Sequence, residues 1–427
     1  MRSVFYAVLV AAWALGTPGP ARAESAPNAL TAEEAVREAL VANRDLQAAR
    51  LAIEAARGRR LQAGRLENPE LELAYADDFA FESEGERTAS VAFSQSFPVT
   101  ARLSRERKVA AKDVEIAAAE VHNFARELVA EVESAFYRAR TWDERLAVNQ
   151  ELIDSVRAVE QATGRRLQAA EVSPAEVSLL RIERLRLEQE SVRLGQQAEA
   201  SRATLARLLG RDAPGSLELV GKLDPGNSPA GSPGRIRPDL EAASRGVERA
   251  EADRALARSE VWEDWTVAFG YDRERAVFDA PIGVEEDEFL GFGLRIPLPL
   301  WNRQQGRIAE AEAELRRSRH ARGALALRVD EEVRVAQAEF RALRANVDAY
   351  ADSILPEASR TRELIERGYR EGLVGIADLL QAQRQYNETR ALYLTLLGDL
   401  RAASISLEAA TGSSPHLRAA PGARGTP

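Results

Sequence analysis

The chain has 427 residues, no cysteine, 58 basic against 67 acidic residues, a net charge of -9 and 6% aromatic residues. The lack of cysteine excludes disulfides, thiolate metal sites, a cysteine nucleophile and lipid attachment at a cysteine. Both charge signs interleave along helical stretches, which gives a solvated helix surface and argues against nucleic-acid binding, and the abundance of Ala, Arg, Glu and Leu is that of coiled helices.

Residues 1–23 read as an export signal, with Arg2 as its positive start, an apolar stretch from Val4 to Leu15 and a small-x-small cleavage site at Ala21-Arg22-Ala23. No later stretch reaches the ~18 to 20 apolar residues of a spanning helix. Any hold on a membrane therefore has to come from strands or from a partner.

A first repeat is expected over 24–210. Past Asp45-Leu46-Gln47-Ala48-Ala49, two short segments alternate in polarity. Leu71, Leu73 and Tyr75 share a face opposite Glu70, Glu72 and Ala74, and Val91, Phe93 and Phe97 oppose Ala92, Ser94 and Ser96. These predict strands at about 69–77 and 88–97, joined by a polar loop from Asp77 to Arg87, with Pro69 and Pro98 at the outer limits. From Ala101 to Thr163 there is neither Gly nor Pro, enough for a helix of roughly 95 Å. Within it Leu128, Val132, Ala135, Ala139, Trp142, Leu146, Asn149, Ile153 and Val156 step by four and three, which predicts a left-handed coiled seam. A turn over Ala170, Glu171, Val172, Ser173 and Pro174 leads to a second Pro-free stretch, Ala175 to Leu209.

Residues 211–238, rich in Gly, Pro and Ser, read as a linker with one short strand candidate at Ser216-Leu217-Glu218-Leu219-Val220. A second repeat follows over 239–412, where Asp239-Leu240-Glu241-Ala242-Ala243 echoes the stretch at Asp45. Trp265, Val267, Phe269 and Tyr271 oppose Asp264, Thr266, Ala268 and Gly270, and Leu290, Phe292, Leu294 and Ile296 oppose Gly291, Gly293 and Arg295. Strands are predicted at about 264–272 and 288–297, with an acidic loop from Asp272 to Asp287. The run Glu285-Glu286-Asp287-Glu288 is read as a solvated loop rim in preference to a cation site. Pro297 and Pro299 stand where strand hands over to helix.

Two more Pro-free stretches, Arg307 to Leu355 and Ile376 to Thr411, predict helices, the latter with a seam from Leu379 through Tyr386 and Leu400 to Leu407. The turn Leu373-Val374-Gly375-Ile376-Ala377-Asp378-Leu379 matches the one at Glu171, and Leu407 to Gly412 matches Leu205 to Gly210. The chain thus reads as a tandem duplication of strand pair plus long helices. Residues 413–427 are expected to be a disordered tail.

Each strand, apolar on one face and small or polar on the other, comes close to the ~9 to 11 residues of a tilted membrane strand. A hairpin covering a soluble core alternates in the same way, but four matching strands, an export signal and no large core favour a barrel. Four strands cannot close a barrel, since the smallest single-chain ones use about eight, and open edges are not tolerated in lipid. The chain is therefore expected to oligomerise. The fold class is mainly α with a small β part: long coiled helical hairpins plus four amphipathic strands. The rival reading is a periplasmic coiled-coil adaptor or scaffold, which needs no such strands. No phosphate loop, zinc-protease motif or serine elbow is present, and His122, His320 and His416 are far apart. Neither an enzyme, a cofactor nor a resident metal is expected.

Together the duplicated layout, the strand exits Phe93-Ser94-Gln95-Ser96-Phe97-Pro98 and Ile296-Pro297-Leu298-Pro299-Leu300-Trp301-Asn302-Arg303 leading into Gly306, and the stretch Gly372 to Gln385 resemble the TolC-type outer-membrane efflux family. The strand exits look most like its heavy-metal-efflux branch, and the resemblance runs roughly from Leu30 to Gly412. It implies a homotrimer in the outer membrane, with one shared β-barrel continued by an α-helical barrel through the periplasm. It also implies docking to a periplasmic adaptor and an inner-membrane pump. By this resemblance Leu71, Leu73, Tyr75, Val91, Phe93, Trp265, Val267, Phe269, Leu290, Phe292 and Leu294 face lipid. Ala170, Glu171, Val172 and Ser173, with Gly372, Leu373, Val374 and Gly375, become the tips where the adaptor docks and the tunnel closes. Asp378 matches the first acidic position of the family's constriction, whereas Gln381 departs from a doubled acidic ring. The expected cargo is metal cations or small toxic compounds, with drug or protein secretion as the alternative.

Overall fold

The computed structural model describes residues 29–80, 85–212, 217–224, 237–278 and 283–413. The expected export signal, and all but Ser413 of the expected tail, lie outside them. In chain order the elements are β1 (Ala29–Leu30), α1 (Ala32–Ala42), α2 (Arg44–Gln62), β2 (Glu70–Asp77), β3 (Arg87–Phe97), α3 (Arg102–Gln168), α4 (Pro174–Leu208) and β4 (Glu218–Leu219). There follow α5 (Pro238–Ser259), β5 (Trp265–Phe278), β6 (Gly283–Arg295), α6 (Gln305–Ala349), a π-helical turn (Tyr350–Ile354), α7 (Leu355–Arg370) and α8 (Ile376–Thr411).

Helix α3 has 67 residues, a rod of about 100 Å. Every seam position named above is covered: Leu128, Val132, Ala135, Ala139, Asn149, Ile153 and Val156 are buried, Trp142 and Leu146 half-buried. Its partners are α4, α5 and α8, with α1 and α2 at one level. The apolar interior is a string of separate clusters along the rods. One gathers Leu46, Val132, Phe136, Leu205 and Leu209 beside the small parallel pair β1–β4. A second joins Phe340 and Val347 to Leu400 and Leu407, and a third, near the turns, joins Val156 and Leu180 to Ile376 and Leu379.

The duplication is visible in three dimensions. Helices α4 and α8 have 35 and 36 residues, and both end on a left-handed glycine, Gly210 at φ 75° and Gly412 at φ 68°. Gly210 is required twice over, because a Cβ there would also lie 2.4 Å from the Ala42 carbonyl oxygen. Gly398 marks a close approach of α8 to α3, since its Cβ would meet the Thr141 hydroxyl oxygen at 2.4 Å.

Two departures from the sequence-based expectation have clear causes. The helix predicted to stop at Leu355 continues through Pro356 to Arg370. A proline lacks the N–H and crowds the carbonyl four residues back. Here the Leu355 N–H donates to the Tyr350 carbonyl, five residues back, so the chain widens into a π turn and the helix resumes. The second departure concerns the hairpin of the second repeat. Its strands were expected to end near 272 and begin near 288, yet β5 and β6 run on through most of the supposed acidic loop. Arg273 lies opposite Glu288 and Arg275 opposite Glu286. The Arg273 guanidinium also reaches the Glu286 carboxylate at 2.7 Å, and such opposite-charge pairs stabilise a ladder. Glu285, Glu286, Asp287 and Glu288 are therefore strand residues on alternating faces, and no loop rim.

The four long strands form one antiparallel sheet in the order β2-β3-β5-β6, so the hairpins of the two repeats join through β3 and β5.

Candidate functional site

Residues directly opposite one another in an antiparallel ladder share a face. Leu71, Phe93, Phe269 and Phe292 stand in one row across the sheet, and Leu73, Val91, Tyr271 and Leu290 in the next. Toward the helices, Gln95, Val267 and Leu294 form a third row, and Phe97 pairs with Trp265. All eleven strand residues singled out from the sequence, Tyr75 included, thus lie on a single face. Between the Phe97–Trp265 pair and the row of Tyr271 and Leu290, Gln95 is the polar interruption, and its amide is spent on the Glu67 and Ser96 carbonyls at 2.9 Å each.

The opposite face carries Glu70, Ser94, Ala268 and Gly293 in one row and Glu72, Ala92, Gly270 and Gly291 in the next. On the central strand β3 the coverage of the two faces is inverted relative to a sheet on a soluble core, and β2 and β6 are exposed on both faces. Along β3 the apolar residues Val91, Phe93 and Phe97 are exposed, while Ala92, Ser94 and Ser96 are half-buried. Leu290 is 74% and Phe292 73% exposed. A water-facing sheet turns its apolar side inward, and a contiguous bare patch of large side chains marks an interaction surface. One end of the patch is closed by charge: beyond Tyr271 and Leu290 the next pair on this face is Arg273 and Glu288. Strands β2 and β6 each pair on one side only, leaving two free edges among the described residues.

At the far end of the helices, the two turns are built alike. The Ala170 N–H donates to the Leu167 carbonyl and the Glu171 N–H to the Arg166 carbonyl, both at 2.9 Å. The Gly372 N–H donates to the Tyr369 carbonyl at 3.1 Å and the Leu373 N–H to the Gly368 carbonyl at 2.8 Å. Ala170 adopts the left-handed backbone, φ 59°, that Gly372 adopts at 76°. Ser173 caps α4 by accepting from the Ala175 N–H at 3.2 Å, ahead of Pro174. Ala170, Glu171, Ser173, Gly372, Leu373 and Gly375 are exposed, while Val172 and Val374 are half-buried. Asp378 and Gln381 are exposed on the first turns of α8, where one Asp378 carboxylate oxygen accepts from the Gly375 N–H at 3.2 Å. The sheet residues and the turns therefore form two sites at opposite ends of the long helices.

A contact that the sequence reading passed over lies near the turns. Glu183 of α4 is only 3% exposed. The Arg384 guanidinium of α8 donates to both its carboxylate oxygens, at 3.0 and 2.6 Å. The Glu183 carboxylate holds Arg384 firmly in its charged form, its pKa above the ordinary guanidinium value. The hydroxyls of Thr163 and Tyr369 lie 3.3 Å apart, and the Arg390 guanidinium donates to Glu151 at 2.5 Å. These contacts tie the α3–α4 hairpin to the α7–α8 hairpin. The signal was available: Glu183 sits three residues after Leu180 and four before Leu187, a seam position. Among the described residues no group of three or more His, Asp or Glu is arranged to hold a metal, and no helix is long and apolar enough to cross a membrane.

The family model described as outer membrane efflux protein matches residues 35–211 and 236–413, one match per repeat. The cobalt-zinc-cadmium resistance protein CzcC of Cupriavidus metallidurans is 25% identical over 400 residues, 92% of each chain. Among solved structures, CusC, described in terms of folding and transmembrane channel formation, superposes with a TM-score of 0.74 at 18% identity, covering 90% of this chain and 92% of that one. A membrane protein from Pseudomonas aeruginosa superposes at 0.72 and 20% identity, covering 89% and 92%.

Proposed function

The chain belongs to the outer membrane efflux protein family, and from that premise we propose that it is the channel subunit of a tripartite efflux system, three copies closing one barrel in the outer membrane. Members of this family are efflux channels and not enzymes, which sets aside the adaptor or scaffold reading.

The observation that carries the proposal is the bare apolar face on a sheet with two free edges. In hydrocarbon every backbone N–H and C=O has to be paired, so the edge of β6 requires the edge of β2 from another copy, repeated until the ring closes. Two copies would give about eight strands, whose bore is filled by side chains, whereas three leave room for a duct. The face bearing Ala92, Gly270, Gly291 and Gly293 then lines the bore, with Glu70, Glu72 and Asp272 beside it. Small side chains keep the bore wide and the carboxylates favour cations. That agrees with a metal-cation cargo, the class named for CzcC. The energy comes from an inner-membrane pump, and the turns at 170–173 and 372–375 are the surfaces offered to a periplasmic adaptor.

Three copies of Asp378 would converge on the channel axis and form a cation-attracting constriction. Because Asp378 also caps α8 through Gly375, Asp378→Asn is the informative variant, since the amide oxygen preserves the cap and removes the charge. In planar bilayers the reconstituted protein is expected to show cation-selective steps blocked by divalent ions, with the block weakened in Asp378→Asn and Asp378→Ala alike. Unchanged selectivity and unchanged block in both variants would remove Asp378 from the gate.

A further inference from the structure

Strands β5 and β6 are long enough to span a bilayer, but the apolar part of the sheet face is shorter than the hydrocarbon. An outer-membrane barrel presents an apolar band of ~25 Å. At ~3.3 Å per residue and a tilt of ~40°, the apolar positions Trp265–Tyr271 of β5 cover ~15 Å of height and Leu290–Leu294 of β6 only ~10 Å. The outer limit is fixed, because the Arg273–Glu288 pair comes next on that face. The missing height has to lie toward the helices.

Beyond Arg295 the ladder stops but the alternation does not. Leu290, Phe292, Leu294, Ile296, Leu298 and Leu300 form one unbroken every-second-residue apolar stripe, and all six are exposed. Leu298 is 62%, Leu300 57% and Trp301, which ends the stripe, 87% exposed. Carried to Leu298 at the same rise and tilt, the stripe spans ~20 Å, and Leu300 and Trp301 follow beyond a tight turn.

Several backbone groups of this connector are satisfied within the segment or need no partner. Pro297 and Pro299 have no N–H to leave unsatisfied. The Leu300 N–H donates to the Leu298 carbonyl at 2.8 Å. The Arg303 side chain donates to the Pro299 carbonyl at 3.3 Å, and the Gln305 side-chain amide donates to the Trp301 carbonyl at 3.2 Å. Such provisions lower the cost of placing an unpaired segment at the edge of hydrocarbon.

We infer that Ile296–Trp301 is a membrane-interface anchor: Leu298 and Leu300 enter the acyl boundary of the periplasm-facing phospholipid leaflet, and Trp301 and Arg303 sit at headgroup depth. Trp favours that zone, where one side of the ring is apolar and the other wet, and the Arg head can snorkel to phosphate from a stem in the apolar layer. The occupant is lipid because the stripe is continuous with the apolar sheet face and shares its parity. The anchor rests on the outer-membrane reading above, and it deepens that reading by giving each subunit a hold on the inner leaflet that needs no attached lipid chain.

Since the chain has no cysteine, single nitroxide labels can be placed by Leu298→Cys and Leu300→Cys, with Phe292→Cys as a reference within the band and Arg317→Cys as an exposed helix reference. All four positions are exposed, so the substitutions remove little packing. In phospholipid vesicles, labels at 298 and 300 are expected to be severalfold more accessible to molecular oxygen than to a water-soluble nickel chelate, as at 292, with the reverse at 317. Chelate preference at 298 and 300 with oxygen preference at 292 would overturn the anchor alone. Protection from both reagents at 298 and 300 would also overturn it, by showing that a neighbouring copy covers the connector. Chelate preference at 292 would overturn the outer-membrane reading, and the anchor with it.

Discussion

Phe292→Arg is expected to abolish the outer-membrane oligomer while leaving the helical part of the chain folded. Phe292 lies in the row with Leu71, Phe93 and Phe269, in the middle of the apolar face, and is 73% exposed in the single chain. Its removal therefore sacrifices little packing within the subunit. If the face meets lipid, an arginine near the midplane costs about 2 to 4 kcal/mol per copy, and every copy in the ring carries it. If the face met water, the same substitution would change stability by no more than about 0.5 kcal/mol. The unheated oligomer band of an envelope extract, compared with that of Gly293→Ser on the opposite face, reads the difference. Loss in Phe292→Arg and retention in Gly293→Ser is the expected pattern, and full retention in both would contradict a lipid-facing sheet.

Arg384→Ala is expected to have the second largest effect, on the far end of the molecule. Glu183 is buried between α4 and α8, and Arg384 gives it a two-pronged partner. Arg186 approaches Glu183 at 3.9 Å from a largely exposed position, and such a contact contributes little. Removing Arg384 strands a carboxylate in an apolar seam, for which about 3 kcal/mol is the expected loss. Glu183→Ala should be milder, because the Arg384 side chain is 40% exposed and can turn to solvent. The double variant Glu183→Met with Arg384→Met should recover much of the difference, since a buried ion pair is often replaceable by apolar packing. Thermal melts of the four proteins, with proteolysis at the 170–173 and 372–375 turns, measure this. Equal losses in the two single alanine variants would contradict the asymmetry in burial.

The parts of the molecule that follow a strict period were legible in the sequence. The α3 seam from Leu128 to Val156 is covered along its whole length, and the strand faces were readable because period-two alternation leaves only one division of residues. The joining of the two hairpins through β3 and β5 was not readable, since alternation fixes faces but not neighbours. Local charge misled in two places. The run from Glu285 to Glu288 looks like a loop until Arg273 and Arg275 are placed across from it. Glu183 looks like surface until its seam position is given weight over its charge. Pro356 misled differently, because a proline normally closes a helix and only the five-residue hydrogen bond to Tyr350 lets this one continue.

Of the two candidate sites, the sheet was fully visible as a set of residues and the tips as matched turns. The roles proposed for them depend on neighbouring copies, because a ring of Asp378 or a closed pair of β2 and β6 edges would exist only in an assembly. The same holds for the connector at Ile296–Trp301, whose exposure makes sense only once something covers it.

The mass of the complex extracted from outer membranes in mild detergent, determined under native conditions and corrected for bound detergent, tests this account most directly. Three chains in one particle recovered from the outer-membrane fraction is the predicted result. A single chain recovered from the soluble periplasmic fraction would contradict it.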